Sequence, residues 1–298
     1  MESYRFVIVD VFTDRPLAGN QLAVFTNGQP IPEHLLQPLA KEIGFSETVF
    51  CYPSAGEGHA RIRIFTPESE VPFAGHPTLG TAFVLAGPLQ LGLIRLETGS
   101  GVVDVELERG ASGRIVFGRM SQPLPRIEPF EQTAELLAGL GLERSVLPIE
   151  LYDNGIRHVF VALGSEAEVA ALAPEPRALK PFGAIGVNCF AGSGKSWKTR
   201  CFVPGLGVGE DPATGSAAGP LALHLARHGA APFGEEIEIR QGEEIGRPSI
   251  LFARAQGKSD AIERVEVGGA AVIIARGEFG LPSGIQLRPH LGLGLPVR

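Results

Sequence analysis

Short runs of β-branched, aliphatic and aromatic residues, bounded by glycine, proline or charged residues, recur along most of the chain and read as strands. In the first half they fall at residues 6–12, 21–25, 48–52, 60–65, 94–97, 102–107 and 114–117. In the second they fall at 149–152, 158–162, 186–190, 198–203, 235–240, 249–255 and 270–277. Apolar residues return at helical spacing in fewer places, chiefly 33–43, 78–85, 133–140 and 216–228. The pattern predicts a strand-rich α+β chain. Between the halves, SQPLPRIEPF (121–130) brings Pro123, Pro125 and Pro129 close together. Proline lacks the N–H that a central strand needs, so this segment reads as a linker. The expected division is residues 1–120, a linker at 121–130 and a second domain at 131–298, whose last strand is free to cross back to the first.

The two halves also repeat each other, which constrains the architecture more than any single motif. RIRIFTP (61–67) precedes GHPTLGTA (75–82), and KTRCFVP (198–204) precedes EDPATGSA (210–217). Arg63, Phe65 and Pro67 match Arg200, Phe202 and Pro204. Continuing by the prolines and glycines pairs Pro77 with Pro212, Gly80 with Gly215 and Thr81 with Ser216, which makes His76 the counterpart of Asp211. The expectation is two similar domains facing each other, with a ligand cleft between them.

Composition narrows the function. With 33 acidic against 26 basic residues the net charge is -7, and no lysine–arginine cluster appears, so the electrostatic footprint of a nucleic-acid binder is missing. The longest uncharged run, between Glu70 and Arg95, is broken by Pro72, Gly75, Pro77, Gly80, Gly87, Pro88 and Gly92, which argues against a membrane span. Glycine and proline, 39 and 24 residues, make about a fifth of the chain, so turns are frequent and elements short. Cys51, Cys189 and Cys201 are an odd number without metal-ligand spacing, and MESYRFVIVDVF carries no secretory pattern, so a cytoplasmic protein is expected.

The helix starts hold the candidate chemistry. Each combines glycine, a nearby proline and a hydroxyl residue, and the free N–H groups of a helix's first turn suit a small carboxylate. Asp211, Thr214 and Ser216 would serve equally as helix caps if only one copy were present; two copies favour a site. Glu47, in GFSETVF, is a carboxylate in an apolar segment, where burial would raise its pKa towards that of a working general acid/base. Other signals fail on inspection. AGSGKSWK lacks the first glycine of a phosphate loop, leaving Lys195 in a solvated turn, and GLGVGE (205–210) has the wrong spacing for a dinucleotide site. His224 and His228 stand one helical turn apart without an accompanying carboxylate, and cations near a helix end need no metal. No cysteine has the cationic setting of a reactive thiolate.

Several long stretches together resemble the phenazine-biosynthesis isomerases, the PhzF-like family. They are VDVFTDRPLAGNQLAVF, FSETVF, RIRIFTPESEVPFAGHPTLGTA, NGIRHVFVAL, VNCFAG, EDPATGSAAGPLALHLARHG and QGEEIGRPS. The resemblance covers nearly the whole chain and implies a diaminopimelate-epimerase-like fold, two similar domains, each a curved strand-rich sheet around a central helix, with the active site in the cleft between them. It implies a cofactor-free reaction in which a glutamate, here Glu47, moves a proton from C3 to C1 of trans-2,3-dihydro-3-hydroxyanthranilate. His76, Asp211 and Ser216 match the family's polar partners. Gly75, Gly215, Thr214 and Asn20 are expected to hold the substrate, and a homodimer is implied. Two alternatives stand beside this: an epimerase or isomerase of another small carboxylate or amino acid derivative, and a silent small-carboxylate binding protein. The missing opposed thiols disfavour two-cysteine racemisation. Closure of the cleft on its ligand is also expected.

Overall fold

The structure, a computed structural model of the 298-residue chain, describes residues 1–206 and 209–285. The strand Glu2–Val11 pairs with Asn20–Phe25, which lies parallel to Glu47–Pro53. The order continues through Ala60–Phe65, Leu93–Thr98, Gly101–Arg109 and Ile115–Ser121, all antiparallel except Ala60–Phe65 beside Leu93–Thr98. The second half runs the same course: Glu150–Asp153, Arg157–Ala162, Ile185–Ser193, Ser196–Phe202, Ile237–Gln241, Ser249–Lys258 and Ala261–Gly269. Its two parallel contacts fall at the equivalent places. A parallel pair needs a crossover, and helices supply it: Glu33–Ile43 in the first half, Glu166–Ala171 and Pro176–Leu179 in the second.

Inside each sheet lies one helix, Gly75–Leu89 or Gly215–Arg227, buried along almost its whole length. The first is apolar all round, as a helix surrounded by protein must be, and it touches strands from both ends of its sheet. Alternation does the rest. In Gly101–Arg109, Val103, Val105 and Leu107 face the helix while Asp104, Glu106 and Glu108 face out. The outer faces have their own cores, with Phe25, Leu35, Leu36 and Phe50 under Glu33–Ile43, and Leu136, Val159, Val169 and Val187 under the second half's helices.

Two seams join the halves. Ala261–Gly269 pairs with Ile115–Ser121, and the last strand, Ala271–Leu281, returns to pair with Glu2–Val11. Four strands escaped the hydrophobic pattern: Glu70–Val71, Arg126–Pro129, Glu210–Asp211 and Ala261–Gly269. The second of these lies inside the proline-rich segment, and its partner is Glu150–Asp153 at the sheet's margin, where a strand tolerates prolines. No described helix is long and apolar enough to cross a membrane.

Candidate active site

Strand pairing corrects the register of the repeat. Phe65 stands opposite Glu70, and Phe202 opposite Glu210, so Glu70-Val71-Pro72 matches Glu210-Asp211-Pro212. The arginines agree: Arg63 donates to both oxygens of Glu70 at 2.8 and 2.7 Å, and Arg200 to both of Glu210 at 2.9 and 2.7 Å. Gly75 and Gly215, each the first residue of its helix, are therefore counterparts, and so are His76 and Ser216. His76 is not the mate of Asp211. The stretch from Phe202 to Glu210 is three residues longer than that from Phe65 to Glu70, and matching prolines across it shifted the pairing; only Pro77 lies in a first turn, while Pro212 precedes its helix.

The two helices meet tip to tip. A Cβ on Gly75 would lie 2.4 Å from both the carbonyl carbon of Gly215 and the nitrogen of Ser216. One on Gly215 would strike the Phe12 ring at 2.8 Å and lie 3.0 Å from the His76 nitrogen. Only glycine permits this approach. It sets two positive dipole ends, with their unsatisfied N–H groups, against each other, an arrangement that favours nearby anions. Phe12 holds its place with a left-handed backbone, φ 63°, anchored by its N–H to Ala270 O at 2.8 Å.

Asp211 is gripped from both halves. Asn20 Nδ2 and Ser46 Oγ, from the first half, donate to its Oδ1 at 2.8 and 2.7 Å, and Thr214 Oγ1 donates to Oδ2 at 2.7 Å. Gln241 locks that arrangement by donating to Asp211 O at 2.8 Å and Thr214 Oγ1 at 2.9 Å while accepting from Thr214 N at 3.0 Å. Gln122 donates to Gly215 O at 2.8 Å and so ties the linker to the second helix tip.

Glu47 opens the strand Glu47–Pro53 and points at the same junction. Its Oε2 lies 3.5 Å from His76 Nε2, and neither buried atom has a hydrogen-bond partner among the described residues. Burial, reinforced by the charge of Asp211, raises the Glu47 carboxyl well above its usual range. Burial lowers His76 to about 4, with Asp211 and a hydrogen bond to the backbone of Gln21 only partly opposing it. Asn20 Nδ2, a donor, lies 3.2 Å from His76 Nδ1, and Nε2 is the ring atom that faces Glu47. Two unsatisfied polar atoms in a dry junction are costly to a fold and useful to a reaction.

On the other side Ser216 Oγ lies 3.0 Å from His158 Nε2. Burial holds His158 down to about 3, so it is neutral. Asn188 Nδ2 lies 3.3 Å from His158 Nδ1, and Asn154 Nδ2 donates to Ser216 O at 2.9 Å. All eight expected residues thus gather at or beside the helix tips. Sequence reasoning assigned no role to Ser46, Gln122, Asn154, His158, Asn188 or Gln241, although most stand inside or beside the stretches that carry the family resemblance.

Elsewhere, the structure supplies the carboxylate that the histidine pair was expected to lack. Glu150 Oε2 lies 2.9 Å from His228 Nε2 and 3.6 Å from His224 Nδ1, and the cation it pairs with is Arg227, at 2.8 Å. Lys195 sits exposed in the turn after Ile185–Ser193 and reaches Glu235 at 3.2 Å. The three cysteines are free and buried, and burial pushes Cys51 up to about 12, far from thiolate chemistry. Two residues of the rejected GLGVGE motif, Gly207 and Val208, lie outside the described residues.

A repeated pair of sheets, each around one helix, with a polar site at the abutting tips, defines the class as a diaminopimelate-epimerase-like α+β protein. A hydroxyproline epimerase from Agrobacterium vitis shares the fold, with a TM-score of 0.65 at 13% identity over 94% of this chain and 91% of that one. The chain belongs to the phenazine biosynthesis-like protein family, PhzC-PhzF, whose sequence model matches residues 9–277. A trans-2,3-dihydro-3-hydroxyanthranilate isomerase from Pseudomonas aeruginosa is 50% identical over 274 residues, covering 92% of this chain and 98% of the relative. A PhzF-family phenazine biosynthesis protein from Bacillus anthracis superposes with a TM-score of 0.81 at 25% identity, covering 94% and 100% of the two chains. The chain is an isomerase.

Proposed function

We propose that this isomerase acts on trans-2,3-dihydro-3-hydroxyanthranilate in phenazine biosynthesis, with Glu47 carrying a proton from ring carbon C3 to C1. The observation that carries the reading is the unpartnered Glu47 Oε2, buried at the junction of two helix tips and facing the unpartnered His76 Nε2 at 3.5 Å. Half of the residues are shared with the Pseudomonas isomerase over nearly its whole length, which supports the substrate.

The chemistry needs one group that is first a base and then an acid. Glu47 as carboxylate takes the C3 proton, and the electron pair of that C–H bond spreads into the ring. Glu47, now a neutral carboxylic acid, returns the proton to C1 on the same face. A carboxyl raised towards neutrality serves both directions, because neither proton transfer is then steeply uphill. His76, kept neutral by burial, faces the Glu47 carboxyl at 3.5 Å and adds no charge that would favour the carboxylate over the acid between the two steps. The free N–H groups at Gly75 and Gly215 take the substrate carboxylate. Asn20 and Thr214 hold Asp211 at the edge of the site, and Ser216 faces the substrate from the opposite helix.

The same proposal includes a lobe division at residues 121–130, a homodimer and a cytoplasmic location; three free thiols support a reducing compartment, and sedimentation tests the dimer. Proton NMR of the substrate in deuterated buffer tests the reaction. Wild type is expected to erase the C3 proton signal and Glu47→Gln to leave it intact. An unchanged substrate with wild type would return the site to another small carboxylate.

A further inference from the structure

His158 and Asn188 take no part in the chemistry above, yet both are buried beside Ser216. Their hydrogen bonds determine where one hydrogen atom sits. The amide of Asn188 is oriented by two carbonyls: its Nδ2 lies 3.0 Å from Gly186 O and 3.3 Å from Val159 O. One amide hydrogen goes to Gly186 O and the other is shared between Val159 O and His158 Nδ1, each 3.3 Å away, so Nδ1 meets a donor. A neutral imidazole that accepts at Nδ1 carries its hydrogen on Nε2. That hydrogen points at Ser216 Oγ, 3.0 Å away. Once the serine oxygen accepts from His158, its own hydrogen must be donated elsewhere.

Room for this arrangement is built into the repeat. Thr48 stands opposite Phe65, and Val187 opposite Phe202, so Gly186 occupies the place that Glu47 holds in the first half. A Cβ at Gly186 would lie 2.5 Å from His158 Nδ1. The second half has thus replaced the base by a glycine and filled the space with an imidazole.

We infer that His158, oriented by Asn188, is a positioning residue that fixes the Ser216 hydroxyl as a hydrogen-bond donor into the cleft, towards the oxygen of the substrate on which charge develops. The arrangement is the opposite of a nucleophilic serine–histidine pair, in which Nε2 must be the acceptor. Here Nε2 is the donor and Ser216 is no nucleophile. The inference rests on the proposed reaction for the identity of the substrate, but the tautomer does not.

The test combines nitrogen-15 NMR of the histidine side chains with steady-state kinetics. Wild-type His158 is expected to show a protonated Nε2 and a bare Nδ1. Asn188→Asp, which offers an acceptor to Nδ1, is expected to reverse that pattern. Removing a preorganised donor costs roughly 10²- to 10³-fold in kcat, and a donor that acts through Ser216 is expected to cost about 10- to 100-fold. That loss is expected in His158→Leu and in Asn188→Asp, with KM nearly unchanged. His158→Gln keeps an N–H donor and is expected to recover most of the loss. A wild-type His158 protonated on Nδ1 overturns the inference, and so do equal losses in the Leu and Gln variants. Wild type with the expected tautomer but no turnover of this substrate overturns the proposed substrate and leaves the orientation of Ser216 standing.

Discussion

Glu47 is where stability and activity oppose each other. Its carboxyl is raised by burial and by the charge of Asp211, so between the unfolded value of 4.5 and the raised folded value the native state holds a proton that the unfolded chain has released. Stability therefore falls as pH rises through that window, by about 1.4 kcal/mol per pH unit. Glu47→Gln is expected to raise the melting temperature at pH 8 and to match wild type near pH 4, as calorimetry at the two pH values would record. The same variant is expected to lose about 10²- to 10⁴-fold in kcat. In wild type the acid limb of kcat/KM should lie above pH 4.5, since Glu47 must start as a carboxylate. His76, held at about 4, adds no second limb near neutrality. Both groups were visible in the sequence, but their unpartnered facing atoms were not. That geometry joins residues from a strand and a helix, and no spacing along the chain encodes it.

At the scale of the element, two helix tips pressed together explain the glycines. Ala at position 75 would meet backbone rather than a flexible side chain, so Gly75→Ala must separate the tips. Overpacking of this kind costs about 1–3 kcal/mol, and chemical denaturation should show that loss together with a fall in turnover. Gly87→Ala, in the same helix where a Cβ meets nothing within 4 Å, is the control. It is expected to stabilise by about 0.5–1 kcal/mol with activity unchanged. The strand and helix pattern made these elements legible, including the helices 33–43 and 133–140 to the residue. The short strands Glu70–Val71 and Glu210–Asp211 were invisible, because two residues cannot display a period. They turned out to fix the register of the repeat, and with it the pairing of His76 with Ser216.

For the whole molecule, the buried histidines make the fold sensitive to mild acid. His76 and His158 sit at about 4 and about 3, against 6.5 when exposed, so the unfolded chain takes up protons that the native state refuses. Stability is therefore fully present above pH 6.5 and is lost as pH falls towards those values. Thermal melts between pH 7 and pH 4 should show that decline, and His158→Gln should make it shallower. Glu47 works in the opposite direction over part of this range, so the decline should be steeper in Glu47→Gln. The halves also meet through Asp211, held by Asn20 and Ser46 from across the cleft. Substrate enters when that grip opens, and closure over the substrate renews it, so small-angle scattering is expected to show a more compact protein with ligand than without.

The sequence by itself determined the strand-rich α+β class, the existence of a repeat, the family and the polar residues of the site, because these depend on local periodicity and on motifs that stay contiguous. The tertiary structure alone decided which repeated residues are counterparts, that the helices touch at Gly75 and Gly215, and that Asp211 is a latch between halves. It also decided that a carboxylate accompanies His224 and His228, and that His158 turns its hydrogen towards Ser216. Each of these depends on distances between segments far apart along the chain. Burial sets the pKa values, and strand pairing sets the register; both are properties of the folded whole.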